Sequence, residues 1–372
     1  GGAGALHQRF MELFNRILRI AIEGGASDVH IKVGSPITFR IDGNLVDVEA
    51  PKPTVEWMEN VLEQIIPVHL KDVLQNQREI DFSYYSEKVG RFRTNCFQQR
   101  GSFALAMRYV KTDIPSFEDL GLIPVLKEIA ETPRGIVLVS GTTGCGKSTT
   151  LAAMIQHINA SSRNHIVTLE DPIEFVFTDN KSVIEQREVG LDSLSFAAGL
   201  KHVLRQDPDV IMIGEMRDAT SFSAAMSAAD TGHLVLSTLH TTNAAQSVTR
   251  ILDFFKSEER DQIRRQLAGT LKAVVCQRMV GRIGGGVIPA IEVLINTGTV
   301  RKLIEENRLE KLGAAIETGG EDGMQNFNQA LLTLVKDRLV TEEEALSKAA
   351  NADALKMNFQ GIFLSEGKRI LS

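Results

Sequence analysis

Eight consecutive residues, Gly141-Thr142-Thr143-Gly144-Cys145-Gly146-Lys147-Ser148, fill the pattern G-x-x-x-x-G-K-[ST] at every fixed position. These residue types at this spacing suit a polyphosphate. The glycines let backbone N–H groups wrap phosphate oxygens where a Cβ would obstruct. Lys147 can then reach the β- and γ-phosphates, the Ser148 hydroxyl can ligate Mg²⁺, and Thr149 joins the candidate nucleotide contacts. A helix starting at Lys147 adds the positive end of its dipole. A chance glycine turn is the bland alternative. Against it, Ile136, Val137, Leu138 and Val139 form a continuous β-rich run before the loop, as in a strand buried on both faces. The expected cofactors are ATP and Mg²⁺.

Hydrolysis asks for more: a carboxylate to orient or deprotonate water, an acid for the metal, and positive charge on the γ-phosphate in the transition state. Asp209 to Glu215, DVIMIGE, is an apolar strand ending in an acid. That places Glu215 at the carboxyl edge of a parallel sheet, where it suits the metal or its water shell. Leu169 to Phe175, LEDPIEF, ends another strand in acids, and Glu174, just past Pro172, can project from a loop as general base. A solvated loop carboxylate is the ordinary reading of any one acid. Two acids finishing two core strands after a phosphate loop favour function for Glu174 and Glu215, with Glu170 and Asp171 left open.

Asp230 to Thr242, DTGHLVLSTLHTT, puts His233 at the start and His240 just past the end of an apolar strand. A strand-edge histidine is most often hydrogen-bonded structure. His240, at the carboxyl edge, is placed to contact the γ-phosphate or to couple nucleotide state to the next subunit; His233 lies at the opposite edge. Neither spacing nor flanking acids suggest zinc. Arg91, Arg93, Arg100 and Arg108 sit on one strand pair of the N-terminal region, where salt-bridged strand surface is the plain reading. Arginine fingers on a nucleotide are the alternative.

The elements that must hold these groups are legible by period. Leu6 to Glu23 is amphipathic with helical spacing and ends at Gly24-Gly25. Strands follow at Asp28 to Val33 and Ile37 to Ile41, turning through Asp42-Gly43 into Leu45 to Val48. A helix from Thr54 precedes alternating strands at Ile80 to Tyr85, Arg91 to Gln98 and Phe103 to Val110. Residues 6–110 read as a small α+β domain and 111–124, with two prolines and three acids, as a linker. Strand and helix then alternate, predicting an α/β, RecA-like parallel sheet over 125–298. Helical periods fill 299–372.

The 372 residues suffice for two domains. A net charge of -6 with one Trp and three Tyr gives no basic channel or stacking loops, so nucleic acid is not an expected partner and a nucleic-acid translocase is disfavoured. No membrane span or signal peptide is visible, and the chain reads as cytoplasmic.

Together the motifs resemble the secretion-superfamily ATPases, and within them the type IV pilus retraction motors. GASDVHI (Gly25 to Ile31), the phosphate loop, LEDPIEF, DPDVIMIGEMRD (Asp207 to Asp218) and TGHLVLSTLHT (Thr231 to Thr241) carry the likeness. It also takes in Gln277-Arg278 and GMQNFNQAL (Gly323 to Leu331). The resemblance implies a homohexamer with a PAS-like N-terminal domain, a RecA-like P-loop ATPase domain and a helical C-terminal region. It would work at an inner-membrane pilus platform protein, with a paralogous pilus ATPase as a further partner, in pilus retraction and twitching motility. It assigns Glu174 as base, Glu215 and Ser148 to Mg²⁺, and His233 and His240 to the histidine motif. Arg278 joins the nucleotide contacts, and Arg93 and Arg108 are preferred as fingers with Arg91 in reserve. Retraction motors usually carry Ala-Ile-Arg in the helix after the LLN-like strand; here Thr299-Val300-Arg301 stands in its place. This departure leaves an accessory retraction paralogue as one alternative; an extension or type II secretion ATPase and, more distantly, a non-hydrolysing nucleotide sensor are the others.

Overall fold

The structure, a computed structural model, describes residues 1–142, 144 and 146–364. Thr143 and Cys145 of the predicted phosphate loop lie outside the described residues. Contacts divide the chain into two units, 1–112 with 172–176, and 113–171 with 177–372.

In the N-terminal unit, α1 (Gly2–Glu23) buries Phe14, Ile17, Leu18 and Ala21. It is followed by β1 (Ala26–Lys32), β2 (Thr38–Ile41) and β3 (Asn44–Asp47). Positive φ at both Asp42 (50°) and Gly43 (79°) makes the β2–β3 turn, the geometry that matches strand twist. Two helices, α2 (Val55–Ile65) and α3 (Val68–Gln77), precede β4 (Glu79–Ser86), β5 (Gly90–Gln99) and β6 (Ser102–Tyr109). Thr54 caps α2 by accepting from Trp57 N at 3.1 Å, worth about 1 kcal/mol. Among the described residues six strands pair in the order β3-β2-β1-β6-β5-β4. Phe14, packed against the rings of Trp57 and Tyr84, fastens α1 and α2 to one face of this sheet.

The second unit begins with α4 (Phe117–Leu120) and α5 (Val125–Ala130). Its sheet holds β7 (Gly135–Ser140), β8 (His165–Glu170), β9 (Val183–Glu188), β10 (Val210–Ile213), β11 (Leu234–Leu239), β12 (Leu271–Gly281) and β13 (Val287–Ile295). Their order is β13-β12-β7-β11-β10-β8-β9. Neighbours from β12 to β9 run parallel, and β13 closes the edge antiparallel to β12. Every residue of β7 is buried, and each such Val, Leu or Ile contributes about 1.5–3 kcal/mol. Gly135 lets β12 approach the start of β7: φ is 115°, and a Cβ would lie 3.0 Å from Lys272 Cβ and 3.2 Å from Thr270 O.

The connecting helices are α6 (Lys147–Ser161), α7 (Phe196–Val203), α8 (Ala219–Asp230), α9 (Ala244–Asp253) and α10 (Arg260–Thr270). Beyond the sheet come α11 (Gly298–Glu305), α12 (Leu312–Thr318), α13 (Phe327–Lys336), α14 (Glu342–Lys348) and α15 (Ala352–Phe359). These late helices are a cap on the sheet: Val300, Ile304, Leu312, Phe327, Leu331 and Leu355 share one core with Ile136, Leu138 and Val274. Within the expected linker, Phe117 and Leu122 are also buried. Helix α3 and strand β9 have no counterpart in the sequence reading. Four of the six side chains of β9 are polar, so periodicity alone hides it.

Candidate nucleotide site

The parallel register decides which residues meet. Ser140 pairs with Leu239 at the carboxyl ends of β7 and β11, so Gly141 and His240 leave the sheet side by side. Gly146 takes φ 81° ahead of α6, turning Lys147 back toward that edge. Lys147 Nζ donates to Gly141 O at 3.0 Å and Leu239 O at 3.3 Å, and lies 2.7 Å from His240 Nδ1. An ammonium can only donate, so Nδ1 accepts and the ring proton belongs on Nε2. Nε2 then donates to Glu215 Oε1 at 2.8 Å, while Glu215 Oε2 accepts from Arg217 Nε at 2.7 Å. The result is a continuous polar chain, Lys147–His240–Glu215–Arg217.

Glu215 lies two residues beyond β10 and is positioned by its neighbour strand. Thr238 Oγ1 donates to Gly214 O at 2.7 Å and Met216 N donates to Thr238 O at 3.1 Å, gripping the backbone on both sides of the acid. Ser140 Oγ and Thr241 Oγ1 share a short hydrogen bond, and Thr241 Oγ1 lies 2.8 Å from Ser247 Oγ of α9. On the other side of β12, buried Gln277 accepts from Thr150 Oγ1 at 2.8 Å, fixing the first turn of α6. A Cβ on Gly146 would lie 3.2 Å from Gln277 Nε2, a close approach that the glycine permits. Ser148 is exposed in that first turn and Thr149 partly so. Among the described residues no cluster of three or more His, Cys, Asp or Glu could hold a metal. A Mg²⁺ carried by one hydroxyl, water and substrate phosphates needs no such cage.

The remaining predicted residues make other contacts. His233 is at the amino end of β11, where Nδ1 donates to Ala228 O at 2.9 Å beside Thr231 Oγ1. Glu170 is buried and accepts from Thr168 Oγ1 and Gln186 Nε2. Glu174 is exposed on the short segment 172–176 grouped with the N-terminal unit, next to Phe175, which bridges to Lys111. Arg278 donates to Thr242 O at 3.0 Å and Lys348 O at 2.9 Å, its guanidinium 4.0 Å from the centre of the Phe327 ring.

In the N-terminal unit the three candidate fingers share one face of the sheet. Arg93 is the cross-strand partner of Arg108, and Arg108 of Asp28. Arg108 Nε donates to Asp28 Oδ1 at 3.0 Å. Burial raises the Asp28 pKa, but hydrogen bonds from Ser27 and Arg108 outweigh it and hold the carboxyl below its ordinary value. Arg91 lies over the Tyr85 ring with Nη1 buried and without a hydrogen-bond partner.

Residue-type reasoning named Lys147, His240 and Glu215 and singled out none of Thr238, Thr241 and Arg217, which support them, while Gln277 entered only as part of the Gln277-Arg278 motif. Their signal was faint, because hydroxyls and one amide in apolar strands look like ordinary core polar residues. Only the Gln277-Arg278 pair, polar in an otherwise apolar strand, stood out.

Comparison with known proteins agrees with this geometry. The family model described as type II/IV secretion system protein matches residues 5–286. A Pseudomonas aeruginosa protein named type IV pilus retractation ATPase PilT is 40% identical, covering 90% of this chain and 97% of its own. Another from the same organism, named type IV pilus ATPase PilU, is 40% identical over 92% of this chain and 90% of its own. A crystal structure titled as the pilus retraction motor PilT with bound ADP superposes with a TM-score of 0.82 at 41% identity, over 91% of this chain and 97% of that one. With the phosphate loop, the strand-end acid and the histidine assembled at one sheet edge, the chain belongs to the type II/IV secretion system protein family.

Proposed function

We propose that this protein is a Mg-dependent ATPase whose hydrolysis drives type IV pilus retraction, acting as a homohexamer at the cytoplasmic face of an inner-membrane pilus platform. The observation that carries the ATPase reading is the Lys147–His240–Glu215 chain at the carboxyl edge of the sheet. It lines up the phosphate-binding cation with the metal-side carboxylate. Retraction, the partners and the ring are carried over from the named relatives and the motifs that match them.

In this reading Gly141 to Thr149 cradle the phosphates, Ser148 and Glu215 hold Mg²⁺ or its water shell, and Glu174 takes the proton of the attacking water. Mg²⁺ would supply charge neutralisation on the β- and γ-oxygens. Arg93 and Arg108 serve as fingers, with Arg91 in reserve; Arg108 must leave Asp28 to do so. His233 keeps a place in the histidine motif. ATP turnover drives movement of one unit against the other.

The test is ATP turnover and oligomer mass of the protein and of Glu174→Gln, with and without Mg²⁺, alongside pilus retraction in cells. Hexameric, Mg-dependent turnover that falls about 10²–10⁴-fold in the variant supports the proposal. An inactive monomer sinks it. A second reading, an accessory retraction ATPase, is favoured by equal identity to the two Pseudomonas relatives and by Thr299-Val300 in α11. Retraction that persists after deletion in cells, but loses force, selects that reading.

A further inference from the structure

A glutamate inside the apolar strand β13 has no part in the chemistry above. Glu292 is buried at 7% exposure, and a buried carboxylate persists only where it is paired or hydrogen-bonded. Its two oxygens face two helix starts. Oε1 accepts from Ala244 N, the first residue of α9, at 2.7 Å. Oε2 accepts from Phe327 N, the first residue of α13, at 3.3 Å. The caps Asn243 and Asn326 satisfy the amides of Gln246 and Gln329, three positions beyond each cap. Glu292 therefore takes one first-turn donor of each helix that the cap leaves over, where two helix dipoles favour negative charge.

Arg278 makes a second bridge on the same face. Cys276 stands opposite Glu292 in the β12–β13 register, and Arg278 is two residues along from Cys276. Its fork joins Thr242 O to Lys348 O at the end of α14, and the guanidinium rests on Phe327, the residue whose amide Glu292 holds. Both bridges thus end on one short piece of chain, Thr242 to Ala244, immediately after His240. Thr241, between His240 and this piece, is tied to β7 through Ser140. A displacement of the His240 turn has to move the C-terminal helices or break one of these contacts.

We infer that Glu292 and Arg278 are positioning residues that lock the His240 turn to α13 and α14, so that the C-terminal helices set the alignment of His240 with Lys147 and Glu215. Arg278 acts through the turn and not by touching nucleotide. The inference rests on the ATPase reading for its catalytic consequence and on geometry alone for the coupling.

The experiment uses the full chain with Glu292→Gln, Arg278→Lys and the double variant. Gln keeps the shape and one acceptor; Lys keeps the charge but cannot serve two carbonyls in a fork. Steady-state ATP kinetics, thermal melting and amide hydrogen exchange over 240–247 and 327–331 are measured on each. We expect kcat, per folded molecule, to fall about 10-fold or more in each single variant with KM within about threefold, since misplacement from a distance is felt in the transition state. Exchange in 240–247 should quicken in both single variants, although the two changes lie in different strands. The double variant should fall little below the worse single, because both act through one turn.

A kcat per folded molecule equal to the parent's, multiplicative losses in the double variant, or unchanged exchange over 240–247 each overturns the inference. If the parent hydrolyses no ATP, the ATPase reading fails, and the coupling then stands or falls on hydrogen exchange alone.

Discussion

Strand β11 carries a histidine just outside each end, and parallel pairing on both sides sends the two into different surroundings. His240 emerges at the carboxyl edge between Lys147 and Glu215. His233 emerges at the amino edge, where it closes the end of α8 by bonding Ala228 O. The residue type is the same and the intervening strand is six residues long. What differs is which loops share the edge: in a parallel sheet all strand-to-helix turns gather at the carboxyl side. The contrast extends along the sheet. The carboxyl edge presents Lys147, Glu215 and His240, whereas the amino edge presents His165 and Asp209, bonded to each other through His165 N at 2.8 Å.

The contrast breaks most visibly if the carboxyl edge is dispensable. Lys147→Ala removes the cation aimed at the phosphates and should lower ATP turnover by about 10²–10³-fold, the scale of losing one preorganised donor. Melting should change little, since Lys147 bonds two backbone carbonyls and a half-exposed histidine. Turnover within tenfold of the parent would refute the placement of the phosphate site. His240→Ala is the next largest. It removes the link between Lys147 and Glu215 and should cost about 10–100-fold in kcat, while His233→Ala should stay within about twofold in the isolated protein. Equal losses from the two histidines would abolish the distinction between the edges. Comparable loss at His233 confined to the assembled ring would give it a role across subunits.

The phosphate loop and Glu215 were legible because their signals are local: a motif of eight residues and an acid at the end of an apolar strand. The antiparallel strands of the N-terminal unit were legible within a residue or two, because β5 alternates buried Phe92, Thr94 and Cys96 with half-exposed Arg91, Arg93 and Asn95. The pairing of Lys147 with His240 was not, since 93 positions separate them and only the β7–β11 register joins them. Glu292 shows the other limit. A charge in the run IPAIEVLI announces a buried partner, but the partners are two backbone amides at the starts of distant helices, which no side-chain pattern encodes. The motif places Arg278 with the nucleotide contacts, and no residue pattern announces its bonds to Thr242 O and Lys348 O.

The smallest effect belongs to the amino edge and concerns folding alone. His165 Nδ1 bonds Asp207 O at 2.8 Å and Nε2 lies 3.4 Å from Glu185 Oε2. Burial lowers the pKa of this imidazole, but the Asp207 carbonyl and the Glu185 carboxylate outweigh it, so the net shift is upward. A pKa higher in the folded than in the unfolded chain means the folded state holds the proton more tightly. The resulting stability is fully present below about pH 6.5, the unfolded value, and is lost as pH rises through the folded value. His165→Gln keeps a polar side chain but cannot titrate. Denaturant midpoints of parent and variant, compared from about pH 5.5 to 8, should therefore converge from a parent advantage at the acid end. Turnover should be the same in both throughout. A gap that widens with rising pH reverses the sign of the linkage, and a turnover loss specific to His165→Gln would place chemistry at the edge that this geometry reserves for structure.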